Sequence, residues 1–171
     1  GAYACSAIAA LTAQNPDGVS MITDCPPEML SAQMEAVNSY YKPKAAKTGM
    51  LFNARLIERA ADFFAANRHI KLVVDPVMIS TSGAKLLLDD AAEALVKKLL
   101  PLAELVTPNL DEAAAILGVK SIDDIENAAK TLSEMLGVSV LLKGGHLKSD
   151  ALQDVLYTRD GEMAGIKSTR I

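Results

Sequence analysis

Three runs of this sequence turn from apolar to polar at a residue able to do chemistry. Val73-Val74 leads into Asp75-Pro76-Val77-Met78, Leu105-Val106 into Thr107-Pro108-Asn109, and Val138-Ser139-Val140-Leu141-Leu142 into Lys143-Gly144-Gly145-His146. Valines can be buried on both faces of a sheet, whereas an unpaired carboxylate cannot be buried and a proline gives no ladder N–H. Each run therefore reads as a strand that stops at its polar residues. The carboxyl ends of parallel strands border the crevice in which open α/β sheets bind ligands. Asp75, and Glu112 three residues after Asn109, offer carboxylate oxygens of the kind that suit Mg²⁺, a cation that keeps several waters and bridges to phosphates. The same two residues could instead cap a turn and complement a helix dipole. Lys143-Gly144-Gly145 sets a cation beside two unhindered backbones, which either lets N–H groups approach a phosphate or makes a left-handed turn. Gln14 carries both a donor and an acceptor, enough to read the edge of a heteroaromatic ring or to satisfy its own turn.

Other chemistry is poorly represented. His69 and His146 are isolated, the first reading as a solvated helix end and the second as a residue that could line a site without acting as a base, and no Ser-His-Asp arrangement is visible. Cys5 and Cys25 are the only cysteines, with no CxxC and no histidine at metal-ligand spacing, so they read as reduced thiols.

The elements that must position these residues follow from periodicity and turn chemistry. The run 6–13 reads as a buried strand that breaks at Gln14-Asn15-Pro16-Asp17-Gly18, with a short strand after it around 19–23. Pro26-Pro27-Glu28 opens a helix whose Leu30, Met34, Val37 and Tyr41 share a face. A weaker strand covers 44–51, and Asn53 caps a helix with Leu56, Ile57, Ala60, Ala61, Phe63 and Phe64 on one side. A polar loop is expected at Ser80-Thr81-Ser82-Gly83, and after Asp89 the pairs Ala91-Ala92, Leu95-Val96 and Leu99-Leu100 predict an amphipathic helix. Asn109 or Asp111 caps the next helix, which Gly118 ends, and Ser121-Ile122-Asp123-Asp124 caps another that runs to Gly137. The tail, with a turn at Arg159-Asp160-Gly161, reads as a hairpin. Strands alternating with helices imply a mostly parallel sheet with helices on both faces, in a single domain over 1–171.

The 171 residues are 50% hydrophobic, enough for one sizeable core. With 17 Lys and Arg against 21 Asp and Glu, the net charge of -4 gives no sign of a nucleic-acid or polybasic membrane partner. No apolar run approaches the roughly 18 residues of a membrane span, and no signal segment opens the chain, so a soluble cytoplasmic protein is expected. The chain begins without a methionine and ends on what reads as an edge strand, as a fragment would.

Taken together, Thr12-Ala13-Gln14-Asn15, Lys47-Thr48-Gly49-Met50, Val74-Asp75-Pro76-Val77-Met78, Thr107-Pro108-Asn109 with Glu112, and Lys143-Gly144-Gly145-His146 resemble the hydroxymethylpyrimidine/phosphomethylpyrimidine kinases of thiamine biosynthesis, in the ribokinase-like superfamily. The resemblance implies a three-layer α/β/α sandwich, incomplete here at both ends. It implies ATP- and Mg²⁺-dependent transfer of the γ-phosphoryl group to 4-amino-5-hydroxymethyl-2-methylpyrimidine and then to its monophosphate. Gln14, Met50 and Val77 would hold the pyrimidine, and Asp75 and Glu112 would organise Mg²⁺ through water. Thr107, Asn109, Lys143 and Gly145 would hold the nucleotide, with Lys143 neutralising the transferring phosphoryl group. A homodimer is part of the same expectation. The family's Gly-x-Asp-x-Ser-Gly-Gly-Ala-Gly opening and its Gly-Thr-Gly-Cys anion hole are not in this sequence, so these residues by themselves are expected to be inactive. A pyridoxal-type kinase of the same superfamily, or a non-catalytic binding remnant, are the other readings.

Overall fold

In the computed structural model, which describes residues 1–78, 89–144 and 151–169, the three runs with chemistry at their ends are neighbouring parallel strands. The strands are β1 (Ala10–Asn15), β2 (Gly18–Asp24), β3 (Ala45–Thr48), β4 (Lys71–Val74), β5 (Leu105–Val106), β6 (Ser139–Leu142), β7 (Ala151–Tyr157) and β8 (Met163–Thr169). The α-helices are α1 (Pro27–Tyr41), α2 (Ala54–Ala66), α3 (Asp89–Ala94), α4 (Leu110–Leu117) and α5 (Ile125–Leu136). Strands β3 to β8 form one six-stranded sheet in chain order. Its first four strands are parallel, and β7 and β8 close one edge as the expected antiparallel hairpin. The α/β class and the parallel strand set agree with the sequence reading. The loop expected at Ser80-Thr81-Ser82-Gly83 lies outside the described residues, as do Gly145 and His146.

Register decides which side chains share a face. Val74 lies opposite Val106, and Val106 opposite Val140, so these three point the same way and are fully buried. With Leu72, Leu142 and Val155 they form the floor of two adjoining cores, one under α2 and α3 and the other under α4 and α5. The other face carries Val73, Leu105, Leu141 and Leu156, each only half-buried. Among the described residues, the helices that pack on the sheet do so on one face, and α1 lies against α2 through Leu30, Met34 and Leu56.

Local chemistry explains most of the boundaries. The Asn53 side chain accepts from the Leu56 N–H at 3.0 Å, which starts α2. Gly118 and Gly137, at φ of 69° and 70°, end α4 and α5 in the left-handed conformation. Asp124, through its carboxylate, accepts from the Asn127 N–H at 3.0 Å and opens α5.

Two expectations need correction. The buried strand expected over 6–13 is instead β1, which starts at Ala10, is exposed from Leu11 onward, and pairs antiparallel with β2 in a ribbon separate from the main sheet. Its turn is the reason: Asn15 Oδ1 accepts from the N–H groups of Asp17 (2.9 Å) and Gly18 (3.1 Å) and folds the chain straight back. A parallel neighbour would have needed a crossover of about a dozen residues. The amphipathic helix expected after Asp89 is α-helical only to Ala94, then widens into a π turn over Leu95–Leu99 and tightens into a 3₁₀ turn over Leu100–Leu102. Apolar pairs repeating every fourth residue drift by about 40° per repeat on a 3.6-residue turn. The wide turn takes up that drift and keeps Ala91, Leu95 and Leu99 buried together. Pro101 then removes the N–H that a regular helix would use next.

Candidate active site at the strand ends

Asp75 is the first residue beyond β4, and its N–H donates to the Thr48 carbonyl of β3 at 3.1 Å. Lys143 is the first beyond β6; its N–H donates to the Pro108 carbonyl at 2.8 Å, and an isolated parallel bridge joins it to Asn109. These backbone bonds join the end of β4 to that of β3 and the end of β6 to that of β5, and the side chains close the gap. Lys143 Nζ lies 3.0 Å from Asp75 Oδ1, and Lys47 Nζ from β3 lies 3.0 Å from Asp75 Oδ2. Both carboxylate oxygens of Asp75 thus face an ammonium group. Thr107, at the end of β5, donates its N–H to the Val74 carbonyl at 2.9 Å and is half-buried beside them.

Asn109 and Glu112 form a reciprocal capping box at the start of α4. Asn109 Oδ1 accepts from the Glu112 N–H and Glu112 Oε2 accepts from the Asn109 N–H, both at 2.8 Å. The structural role open to Glu112 from its position is therefore present, and the residue is buried, at 6% exposure. Burial pushes the Glu112 carboxyl above its ordinary value, with the Asp75 charge adding to the rise, against hydrogen bonds from the backbone of Asn109 and Met78 and the charge of Lys143. Asp75 goes the other way. Burial would raise it, but hydrogen bonds from Lys143 and Lys47, together with their charges, outweigh burial and hold it below the ordinary carboxylate value.

The two carboxylates are the donors a divalent cation could use. Each oxygen that already accepts a hydrogen bond keeps further lone-pair capacity. Among the described residues there is no group of three or more His, Cys, Asp or Glu that would cage an ion. This donor set fits Mg²⁺ held through its waters and a ligand's phosphates, with few direct protein ligands.

The remaining expected residues are spread out. Val77 is half-buried next to Asp75, its N–H donating to the Asp75 carbonyl at 2.9 Å. Met50 is half-buried and lines, with Thr48, Leu51 and Phe63, a cavity of about 660 Å³ beside β3. The Thr48 hydroxyl on that strand is buried without a hydrogen-bond partner among the described residues. Gln14 is exposed on the β1–β2 ribbon, and no hydrogen bond among the described residues ties it to the strand ends. Gly145 lies outside the described residues. The left-handed turn open to Lys143-Gly144 is not formed at Gly144, whose φ is not positive. Gly144 is there for close approach instead: a Cβ would run into the Gln153 carbonyl oxygen, and its N–H donates to Asp154 Oδ1 at 2.9 Å. That N–H is consequently engaged by the protein itself. Lys47 stands in the sequence only as part of the Lys47-Thr48-Gly49-Met50 motif, with no role of its own. The signal was its position in β3, on the strand that adjoins β4, but only the register makes it a partner of Asp75.

Comparison with known proteins gives a consistent picture. The phosphomethylpyrimidine kinase family matches residues 1–171. The chain is 43% identical over 175 residues to a hydroxymethylpyrimidine/phosphomethylpyrimidine kinase of Haemophilus influenzae, covering 99% of this chain and 65% of that protein. It superposes with a TM-score of 0.87 and 38% identity on the crystal structure of phosphomethylpyrimidine kinase from Clostridium difficile, covering 98% of this chain and 73% of that one. It also superposes, at a TM-score of 0.80 and 32% identity, on pyridoxal kinase from Staphylococcus aureus in complex with AMP-PCP and pyridoxal, covering 95% of this chain and 59% of that one. The chain thus spans less than two thirds of the length of the Haemophilus relative.

Proposed function

Because the chain belongs to the phosphomethylpyrimidine kinase family, we propose that its protein transfers the γ-phosphoryl group of ATP to the hydroxymethyl group of 4-amino-5-hydroxymethyl-2-methylpyrimidine, and then to the monophosphate, in thiamine biosynthesis. The observation that carries this reading is the meeting of Asp75, Asn109, Glu112 and Lys143 at the carboxyl ends of adjoining parallel strands, in a chain matched by that family from end to end. Phosphoryl transfer asks mainly for positioning and neutralisation of charge. Lys143 supplies a cation for the transferring group, and Thr107 and Asn109 border the place a nucleotide would take. Asp75 and Glu112 would hold Mg²⁺ through water; when bound, Mg²⁺ neutralises charge on the phosphate oxygens. Gln14, Met50 and Val77 are assigned to the pyrimidine, Gly145 to the nucleotide. The whole of 1–171 belongs to one domain in this reading, and the protein is a homodimer.

The solved pyridoxal kinase complex favours pyridoxal as a second acceptor. The test is to incubate the purified gene product with ATP, Mg²⁺ and either the pyrimidine alcohol, its monophosphate or pyridoxal, and to follow ADP and product mass. Phosphorylation of the pyrimidine, with Lys143→Ala slower by about 10²–10³-fold, is the expected result. Turnover of pyridoxal alone would replace the pyrimidine assignment, and no turnover of any acceptor would overturn the kinase reading.

A further inference from the structure

Lys47 has no part in the function proposed above, yet it holds one of the two oxygens of Asp75. Register explains how. Lys47 lies opposite Val73 in the β3–β4 pair, and Asp75 follows Val73 by two, so both side chains rise from the same face of the sheet. Lys143 follows Leu141 of β6 by two and comes to that face as well. The result is a carboxylate shared by two ammonium groups, each at 3.0 Å.

Stability does not account for this arrangement. The Lys47 side chain is 58% exposed and that of Lys143 39%, with Asp75 at 21%, and exposed ion pairs of this kind add little. A divalent cation approaching Asp75 must compete with one ammonium or the other. Lys143 is held at the strand ends by the backbone bridge to Asn109 and the bond to Pro108, whereas Lys47 is the more exposed of the two. On the kinase reading, Lys143 also has a role of its own with the transferring phosphoryl group.

We propose that Lys47 is a positioning residue that acts through Asp75: it is a placeholder cation on Oδ2, orienting and neutralising the carboxylate until a divalent cation takes its place. This rests on the kinase reading for its purpose, and its test does not depend on turnover. Lys47→Met keeps the aliphatic stem and removes the charge, while Lys47→Arg keeps the charge. Free Mn²⁺ is titrated into the gene product without nucleotide and followed by electron paramagnetic resonance, for the parent, both variants, Asp75→Asn and the Lys47→Met/Asp75→Asn double variant. Removing a competing unit charge close to the site is expected to tighten Mn²⁺ binding in Lys47→Met by about three- to tenfold. Lys47→Arg stays near the parent, and the gain vanishes in the double variant, as a coupling through Asp75 requires. Unchanged or weaker Mn²⁺ binding in Lys47→Met, a gain that persists without Asp75, or no Mn²⁺ binding in either protein would overturn the proposal. The kinase assay separates the two failures. A parent that phosphorylates the pyrimidine while Lys47→Met shows no gain loses only the placeholder. A parent without turnover that still shows the gain loses the kinase reading and keeps the exchange at Asp75.

Discussion

Asp75 and Glu112 sit in one site but are driven in opposite directions, and the pH dependence of stability separates them. Glu112 is raised from an ordinary value of 4.5 by burial. Its folded state holds the proton to higher pH than the unfolded chain, so its contribution is fully present below the unfolded value and is lost as pH rises through the raised folded value. Asp75 is lowered from 3.8 because its two lysine bonds and their charges outweigh burial. Its contribution is present above the unfolded value and is lost as pH falls through the lowered one. Glu112→Gln keeps an oxygen that can accept from the Asn109 N–H, and so keeps the cap. Urea midpoints measured in chelator across acid to neutral pH should fall less steeply above pH 4.5 in this variant than in the parent; parallel curves would contradict the assignment. Asp75 and Lys143 were legible in the sequence because an unpaired charge cannot sit inside a strand. The alliance of Asp75 with Lys47 was not, since it comes from strand register over 28 positions. The use of Gly144 was hidden for a similar reason, because only β7 says what presses against it.

Among the elements, the join between β6 and β7 is the most exacting. Gly144 passes so close to Gln153 that a methyl group there meets backbone, which cannot swing aside as a flexible side chain would. Gly144→Ala should cost about 1–3 kcal/mol, the range for overpacking a well-filled site, and should shift the urea midpoint without changing the slope. A cost under a few tenths would mean that the loop relaxes freely. Helices α2, α4 and α5 were readable because cap and apolar face agreed in each, with a terminal glycine added at the ends of α4 and α5. The turn sequence Leu95–Leu99 misled because a four-residue repeat is close to a helical one, and only the buried floor beneath it shows that α geometry would have carried the apolar pairs away. The run 6–13 misled because small apolar residues suit a buried strand and an exposed ribbon alike, and the deciding feature was the Asn15 turn that follows.

At the scale of the whole molecule, the sheet has one dressed face and one bare one among the described residues. Val73, Leu105, Leu141 and Leu156 are only half-buried, and Ile166 on β8 is 52% exposed. Strands alternating with helices implied helices on both faces, and the face that carries Val73, Leu105, Leu141 and Leu156 is the one on which no described helix packs. Contiguous apolar surface of this kind favours association. The 171-residue chain by itself should therefore sediment with a mass that rises with concentration, and Leu105→Lys with Leu141→Lys should reduce that rise; a concentration-independent monomer would show the face to be harmless.

The β1–β2 ribbon, finally, has a bearing on time as well as place. A two-stranded ribbon without a sheet to extend is marginal in isolation, and among the described residues this one shares no strand pairing with the six-stranded sheet. It should open as its own cooperative unit. In hydrogen–deuterium exchange, the amides from Ala10 to Asp24 should trade their protons well before those of β4 and β6, and simultaneous exchange would show a single unit. Gln14 travels with the ribbon, so whatever that side chain meets, it meets on the ribbon's clock and not on that of the strand ends.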